Sequence, residues 1–428
     1  MPRRAIRCWL VLALALLPRA ARAQETLADK VTGLFTFGNC GAPLCLNVGG
    51  NSPHGSHFIG DAEQGGLTVV SFLTNSVGLN ASSFPIGGTS GGTSFTLVGG
   101  VPVRTTSSLG PIFADRADNL GKGRFLMGAD VNYIRYRTLR GVPMDNLLFN
   151  FTHQNVGDPA MGNPSFENDF ITVRMSLNVD QLVAAAFVTY GLLNHLDISV
   201  AVPVVHTSLE GETQAQINPF GLPIVHFFAG DSINPILRAS STTFGSATGI
   251  GDVAARLKWG VTSSTKFSLA ALADVRFPTG DEENLLGAGH YSVRGVLVAS
   301  SHFGGFSPHL NLGYLYRDGA GVNDQIITFV GFDQLIAPWA TMAVDMLGNW
   351  EIGTPFQVPP PVEYTQPYPH EIVRTNVPDS HDHRIDGSFG FKFRLSNAAT
   401  ALVNMLVPLR NGGVTPDIAY TTGLEFNF

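Results

Sequence analysis

Thirteen charged side chains recur at alternating positions of a chain otherwise short of charge: Asp130, Arg174, Asp252, Arg256, Lys258, Asp274, Arg276, Arg294, Arg317, Asp345, Lys392, Arg394 and Glu425. Alternation at period two gives each segment one polar and one apolar face. Opposite charges on neighbouring segments can brace a narrow interior through salt bridges, or they can line a polar path for a small solute. Both readings stay open on the residues alone.

Other clusters carry weaker chemistry. Asp281, Glu282 and Glu283 offer hard oxygen ligands for a divalent cation, but in a polar connection they read as a solvated loop that cations could bridge to lipopolysaccharide. His381, Asp382 and His383, with Asp379, offer ligands for a transition metal; no further ligand is identifiable and no metal site is assigned. His206 and Ser208 share one parity. An outward His-x-Ser pair resembles the arrangement of outer-membrane phospholipases, where imidazole activates the hydroxyl against an acyl ester. No third group can be placed to orient the imidazole, so no catalytic residue and no cofactor is assigned, and the chain is expected not to be an enzyme. Cys40 and Cys45 are expected to close a small disulfide loop, since two thiolates leave a zinc shell incomplete.

The elements that position these residues begin after a leader. Arg3, Arg4 and Arg7 precede an apolar run from Trp9 to Leu17, and Ala21-Arg22-Ala23 fits a small-x-small cleavage site. Residues 1–23 therefore read as a signal peptide, with Gln24 first in the mature chain. The 428 residues hold 26 Lys and Arg against 33 Asp and Glu, net −7; without Arg3, Arg4, Arg7, Arg19 and Arg22 the balance is 21 against 33, or −12. That surplus of acid argues against nucleic acid as a partner, because phosphate binding needs clustered cations. Charged residues make up 14% and mean hydropathy is +0.15. Yet the mature chain has no apolar run near the roughly 20 residues of a spanning helix. Such a chain hides its hydrophobicity in alternation.

Residues 24–121 form a Gly/Ser/Thr-rich extension with a short strand expected over Thr93–Leu97, read as a periplasmic segment or a plug in a lumen. From residue 122 to 428 the pattern is period-two. Phe125, Met127, Ala129 and Val131 alternate with Asp130 and Asn132, and Ile171, Val173, Met175, Leu177 and Val179 with Arg174 and Asn178. Leu196, Ile198, Val200 and Val202 follow the same rule, as do Leu257 and Trp259, then Phe267 to Phe277, and Phe389, Phe391 and Phe393. Short connections near 191–195, 262–266, 304–307, 337–340 and 397–400 take turns with long ones near 138–169, 210–248, 278–290, 318–324, 353–384 and 410–416. A soluble sandwich has no reason to sort loop length by end. The expectation is an all-β fold: a transmembrane, antiparallel, up-and-down β-barrel of about 12 strands, with 14 as the alternative count.

Trp259, Phe267, Phe303, Phe306 and Trp339 flank the short turns, as an interfacial girdle requires. Leu272, Val296, Val298 and Leu315 share the inward parity, so a wide water channel is not expected. Pro203 and Pro408 lie within strands and Pro278 ends one; they read as rim bulges or as a weakened seam through which an apolar solute could leave sideways. Tyr420, Leu424, Phe426 and Phe428 form one face of the final strand. That face resembles the C-terminal signal read by the barrel assembly machinery of Gram-negative bacteria.

Several phrases resemble one family. Asn119 to Phe125 reads NLGKGRF, Leu196 to Pro203 reads LDISVAVP, and Gly249 to Val253 reads GIGDV. Arg276 to Gly287 reads RFPTGDEENLLG, the most specific of the set, and Ser307 to Asn311 reads SPHLN. The chain resembles the outer-membrane transporter family of the meta-pathway of phenol degradation over roughly residues 115–428. The resemblance implies an architecture similar to fatty-acid and aromatic-hydrocarbon channels, and carries over no set of substrate residues. The expectation is passive uptake of small hydrophobic or aromatic molecules across a bacterial outer membrane. Its partners would be outer-membrane lipid, lipopolysaccharide, the assembly machinery and the solute. The alternative is a structural or surface-interaction barrel without transport.

Overall fold

The computed structural model describes residues 25–37, 43–44, 47–48, 55–83, 95–98, 101–104, 108–152, 169–219, 226–231, 233–264, 266–319, 321–358 and 373–428. The expected leader and cleavage site, residues 1–23, and the cysteines Cys40 and Cys45 lie outside these residues.

Twelve antiparallel strands close on themselves. They are β1 (Phe125–Leu139), β2 (Phe170–Leu193), β3 (Leu196–Asn218), β4 (Val253–Ser263), β5 (Phe267–Phe277) and β6 (Ser292–Ser301). The circuit continues with β7 (Phe306–Arg317), β8 (Asp324–Ala337), β9 (Ala340–Ile352), β10 (Arg384–Arg394), β11 (Ala399–Arg410) and β12 (Val414–Asn427). Each strand pairs with its sequence neighbours, and β12 pairs with β1. At the seam the main chains of Phe125 and Phe428 exchange hydrogen bonds of 3.1 and 2.8 Å. The smaller of the two expected strand counts holds, and short turns gather at one end of the barrel, long loops at the other.

Period two is what lets these residues form a membrane barrel. On β1, Phe125, Met127, Val131 and Tyr133 point out and are exposed, while Leu126, Asp130, Asn132 and Ile134 point in and are buried. Around the barrel, Leu257, Leu297, Leu310, Leu312, Val330, Phe389, Val403, Tyr420 and Leu424 continue the outward apolar belt. Apolar side chains outside and charged ones inside invert the arrangement water would select, and match a hydrocarbon surround. Trp259, Phe267, Phe303, Phe306 and Trp339 are all exposed at the short-turn rim. Among the described residues no helix is long and apolar enough to cross a membrane.

Strands β2 and β3 run to 24 and 23 residues, against the roughly 9–11 needed to cross a bilayer. Their outer halves rise past the belt. A strand over Leu147–Thr152 pairs with β2, and one over Arg238–Ile250 pairs with β3. Here Ile171, Val173, Met175 and Leu177 pack inward with Phe149 and Phe151, and with Leu27, Val31 and Leu34 of the first helix and the turn after it. This corrects one expectation. Arg174 does not face the lumen; it is exposed on the outer surface. Parity is unbroken along β2, but beyond the membrane the outside is water and the inside a dry core, so the apolar residues are the inward ones.

Pro203 marks the fork. Strand β3 pairs with β4 up to Ala201 and with Arg238–Ile250 from Val204 onward. The missing N–H of proline falls where the ladder changes partner, and its carbonyl accepts from Gly251 N at 2.9 Å. Pro408 sits at a register shift between β10 and β11.

Among the described residues the N-terminal extension holds two helices not expected from its composition. They are α1 (Leu27–Gly33) and α2 (Gly55–Ser83). Thr26 and Asp29 form a reciprocal cap on α1. The expected strand appears as a hairpin, Phe95–Val98 with Val101–Arg104. Helix α1 packs on the outer half of β3 and its added strand, where Thr213 Oγ1 donates to Leu34 O at 2.5 Å and Ser241 Oγ to Gly33 O at 2.8 Å. Neither helix lies below the short turns.

Candidate functional site: the lumen

The short-turn half of the lumen is filled by residues 108–120. Leu109, Ile112, Phe113, Ala114, Ala117 and Leu120 are buried, as are Asp115 and Arg116. The segment follows the wall from β9 to β3. Leu109 N donates to Thr341 Oγ1 at 2.9 Å, Asp115 N to Asn311 Oδ1 at 2.8 Å, Ala117 N to Ser300 Oγ at 3.2 Å, and Leu120 N to Asp197 Oδ2 at 3.1 Å. Polar wall residues thus satisfy main-chain donors of a segment without secondary structure, as burial demands. Arg116 forms a buried ion pair with Asp333, Nε to Oδ1 3.1 Å, and contacts Ser108 Oγ. Lys258 Nζ donates to Asp118 O at 2.7 Å and stands 3.9 Å from Asp197. His302 Nε2 lies 3.0 Å from Asp118, and His309 Nε2 lies 2.6 Å from Asp345. Along the wall, Lys392 on β10 pairs with Glu425 on β12 at 2.9 and 3.1 Å.

The long-loop half encloses a cavity of about 220 Å³. Helix α2 forms one side, held by Asn80 Nδ2 to Val414 O at 3.0 Å and by Arg384 Nη1 to Asn80 Oδ1 at 2.8 Å. Phe72 of α2 stacks on Phe356 at 5.2 Å between centroids, with the Arg140 guanidinium 5.1 Å from the Phe72 ring. Asp274, Arg276, Arg294, Arg317 and Arg384 line the wall with Leu315, Ile327, Phe329 and Leu347.

The loop between β5 and β6 covers part of the mouth. Asp252, expected as a lumen charge, is buried and accepts from Gly280 N at 2.9 Å and Ala288 N at 2.8 Å, so it fastens this loop. Leu285 has φ +58°, and its carbonyl accepts from Gln181 Nε2 and Thr207 Oγ1, both at 3.1 Å. Ala28 N of α1 donates to Glu283 O at 2.8 Å. The motif that looked most specific in the sequence thus docks a loop over the mouth. The His290 imidazole beside it sits below its ordinary 6.5 chiefly because burial disfavours the charged ring; Arg317 adds to this, while the bond to Ala288 O opposes it.

The remaining candidates divide clearly. Asp130, Arg256, Lys258, Asp274, Arg276, Asp345 and Lys392 are buried in the lumen, and Arg294, Arg317 and Arg394 are half-buried on the inward parity. Asp274 collects Arg256, Arg276 at 3.6 Å and Arg294 at 3.0 Å. Arg394 lies at the short-turn rim, away from the cavity. His206 and Ser208 do not meet: His206 Nδ1 bonds Thr248 Oγ1 at 2.7 Å. Asp382 pairs with Arg140 at 2.7 Å, His381 and His383 stack at 5.0 Å, and among the described residues no group of three or more His, Cys, Asp or Glu side chains converges as a metal site. Sequence reading missed Arg116, Asp333 and Arg384. Asp333 and Arg384 carried the same signal as the others, a charge on the inward parity. Arg116 carried none, because its segment has no periodicity.

A family model described as "Putative MetA-pathway of phenol degradation" matches residues 165–398. No curated protein matches the chain. Among solved structures, an outer membrane channel of Pseudomonas putida F1 is similar at 13% identity and TM-score 0.39, over 73% of this chain and 98% of that one. The CymD monoaromatic hydrocarbon channel is similar at 9% and 0.33, over 72% and 89%. A FadL homologue of Pseudomonas aeruginosa is similar at 10% and 0.32, over 71% and 89%.

Proposed function

The chain belongs to the family described as "Putative MetA-pathway of phenol degradation", whose model covers more than half of it, and from that premise we propose that it is an outer-membrane channel for passive uptake of small hydrophobic or aromatic molecules. The observation that carries the proposal is the division of the lumen. A closed apolar-belted barrel holds a small, partly apolar cavity toward the long loops and a packed segment below it. A water-filled pore would pass small ions continuously. A cavity that ends on a seated segment admits one small solute at a time and passes it when the segment yields.

The same reading assigns residues 1–23 to export by a cleaved signal peptide. It assigns Tyr420, Leu424, Phe426 and Phe428 to recognition by the barrel assembly machinery of a Gram-negative cell, and the outward belt to outer-membrane lipid and lipopolysaccharide. The test is uptake of labelled toluene into proteoliposomes holding the intact chain, alongside conductance in planar bilayers. Toluene entry above protein-free vesicles, with silent bilayers, supports the channel. Large steady conductance would point to an open porin, and silence in both assays to the surface-interaction alternative.

A further inference from the structure

The cavity wall is ordered in rows. Cross-strand register sets Arg276, Ser292 and Arg317 side by side on β5, β6 and β7, nearest the long loops. The next row inward is Asp274, Arg294 and Leu315. Below it come Leu272, Val296, Gly313 and Ile327, then Phe329 paired with Leu347. The upper rows are cationic and the lower ones apolar, with the stacked Phe72 and Phe356 on the α2 side.

The acids that border the cavity are each engaged. Asp274 is shared by three arginines, and Asp386 pairs with Arg384 at 2.7 Å. Asp382 holds Arg140, and Glu351 accepts from Asn323 Nδ2 at 2.9 Å and Asp382 N at 2.6 Å. Arg317 differs. Its main-chain N donates to Asp324 Oδ1 at 2.9 Å and its Nη1 to Asn323 O at 3.3 Å; Glu351, Asp324 and Asp382 act on the guanidinium from further off, and among the described residues no carboxylate lies within ion-pair distance of it. A hydrocarbon resting on the lower, apolar rows meets neither guanidinium, whereas a solute that reached the upper rows without an acceptor would desolvate Arg317 and Arg294 and return nothing, which is costly for a charge. A carboxylate would return a charge-assisted, two-pronged contact suited to guanidinium geometry.

We propose that the cavity is a binding site for a small aromatic monocarboxylate. Its carboxylate meets Arg317 and Arg294, and its ring lies on Leu315, Ile327, Phe329 and Leu347. The volume of about 220 Å³, below the ~300–1,000 Å³ of drug-sized sites, limits the occupant to roughly one ring. This deepens the channel reading and rests on it for the direction of transport, but the site itself can be tested without transport.

The experiment is calorimetric titration of the folded full chain in detergent with benzoate and with the neutral, similarly sized benzyl alcohol. Benzoate is expected to bind at least ~10-fold more tightly. The preference should vanish in the Arg294→Met/Arg317→Met variant, which keeps both apolar stems and leaves Asp274 with Arg256 and Arg276. Heat-modifiable gel migration checks that this variant folds. If it does not fold, Arg317→Lys replaces it, expected to weaken benzoate several-fold by losing the fork while keeping the charge. Equal affinity for the two ligands in the native chain, a full preference in the double variant, or undiminished benzoate affinity in Arg317→Lys would overturn the site. Toluene uptake separates this result from the channel reading. A benzoate preference without any uptake leaves the site and removes the channel; uptake without the preference does the reverse.

Discussion

Near the short turns, Arg116 from residues 108–120 meets Asp333 on the barrel wall, and both side chains are fully buried. Near the long loops, Arg317 borders open space with a main-chain oxygen as its partner. Both lie inside the same twelve strands. In the lower half the chain supplies its own counter-charges and its own filler, so interior charge seals the barrel. In the upper half charge is only partly compensated and the filler stops short, so interior charge can select. A barrel of this size is neither a pore nor a solid core; the difference lies in which rows are occupied by the chain itself.

The largest effect that could break this comparison is at Asp333. Asp333→Ala leaves Arg116 buried without its partner, a loss of about 3–5 kcal/mol. We expect residues 108–120 to unseat and a steady conductance to appear in planar bilayers. Silent bilayers would show that the segment is not held by this pair. Lys392→Met sharpens the contrast, because the Lys392–Glu425 pair ties β10 to β12 and includes no residue of the segment. It should cost about 3 kcal/mol, the lower end, since Glu425 can take up a proton. Unfolding would shift in denaturant titrations, while bilayers remain silent.

A smaller change addresses the upper half. Leu347→Trp fills the cavity floor at a cost of about 1–3 kcal/mol. Toluene uptake should fall severalfold with the segment still seated, and unchanged uptake would place the route elsewhere. The smallest effect expected is from pH. His290 is held below its ordinary value of 6.5 by burial, and its buried Nε2 has no hydrogen-bond partner among the described residues. The docked loop therefore favours the neutral ring; its stability is fully present above the unfolded value and declines as pH falls through the folded one. Protection factors at residues 285–288, taken against intrinsic exchange at each pH, should fall on acidification below about pH 6.5. His290→Gln should flatten the response; an unaltered profile would assign it to another group.

Much of this was legible beforehand. A barrel of about twelve strands, the sorting of short turns from long loops, and the inward parity of Lys258, Asp274, Lys392 and Glu425 followed from alternation and turn residues. Alternation is a local consequence of the pleat, and a bilayer fixes which face must be apolar. Where the bilayer ends, that rule ends too, and Arg174 fell on the wrong side. Helix α2, with glycine and serine throughout its 29 residues, has no strong local preference for its conformation. It packs on α1 and the strand over Leu147–Thr152 as well as on Phe356, Arg384 and Val414 far along the chain.

The sequence alone determined a membrane barrel of twelve or fourteen strands, with charge on its inner face and a closing final strand, because two solvents on two sides write a period of two into every strand. Only the tertiary structure decided which charges meet. It brought Arg116 to Asp333 across 217 residues, turned the most specific loop motif into a lid over the mouth, and left Arg317 facing a cavity. Pairing inside a closed barrel depends on register and on what fills the lumen, and neither is recorded in the residues next to the charge.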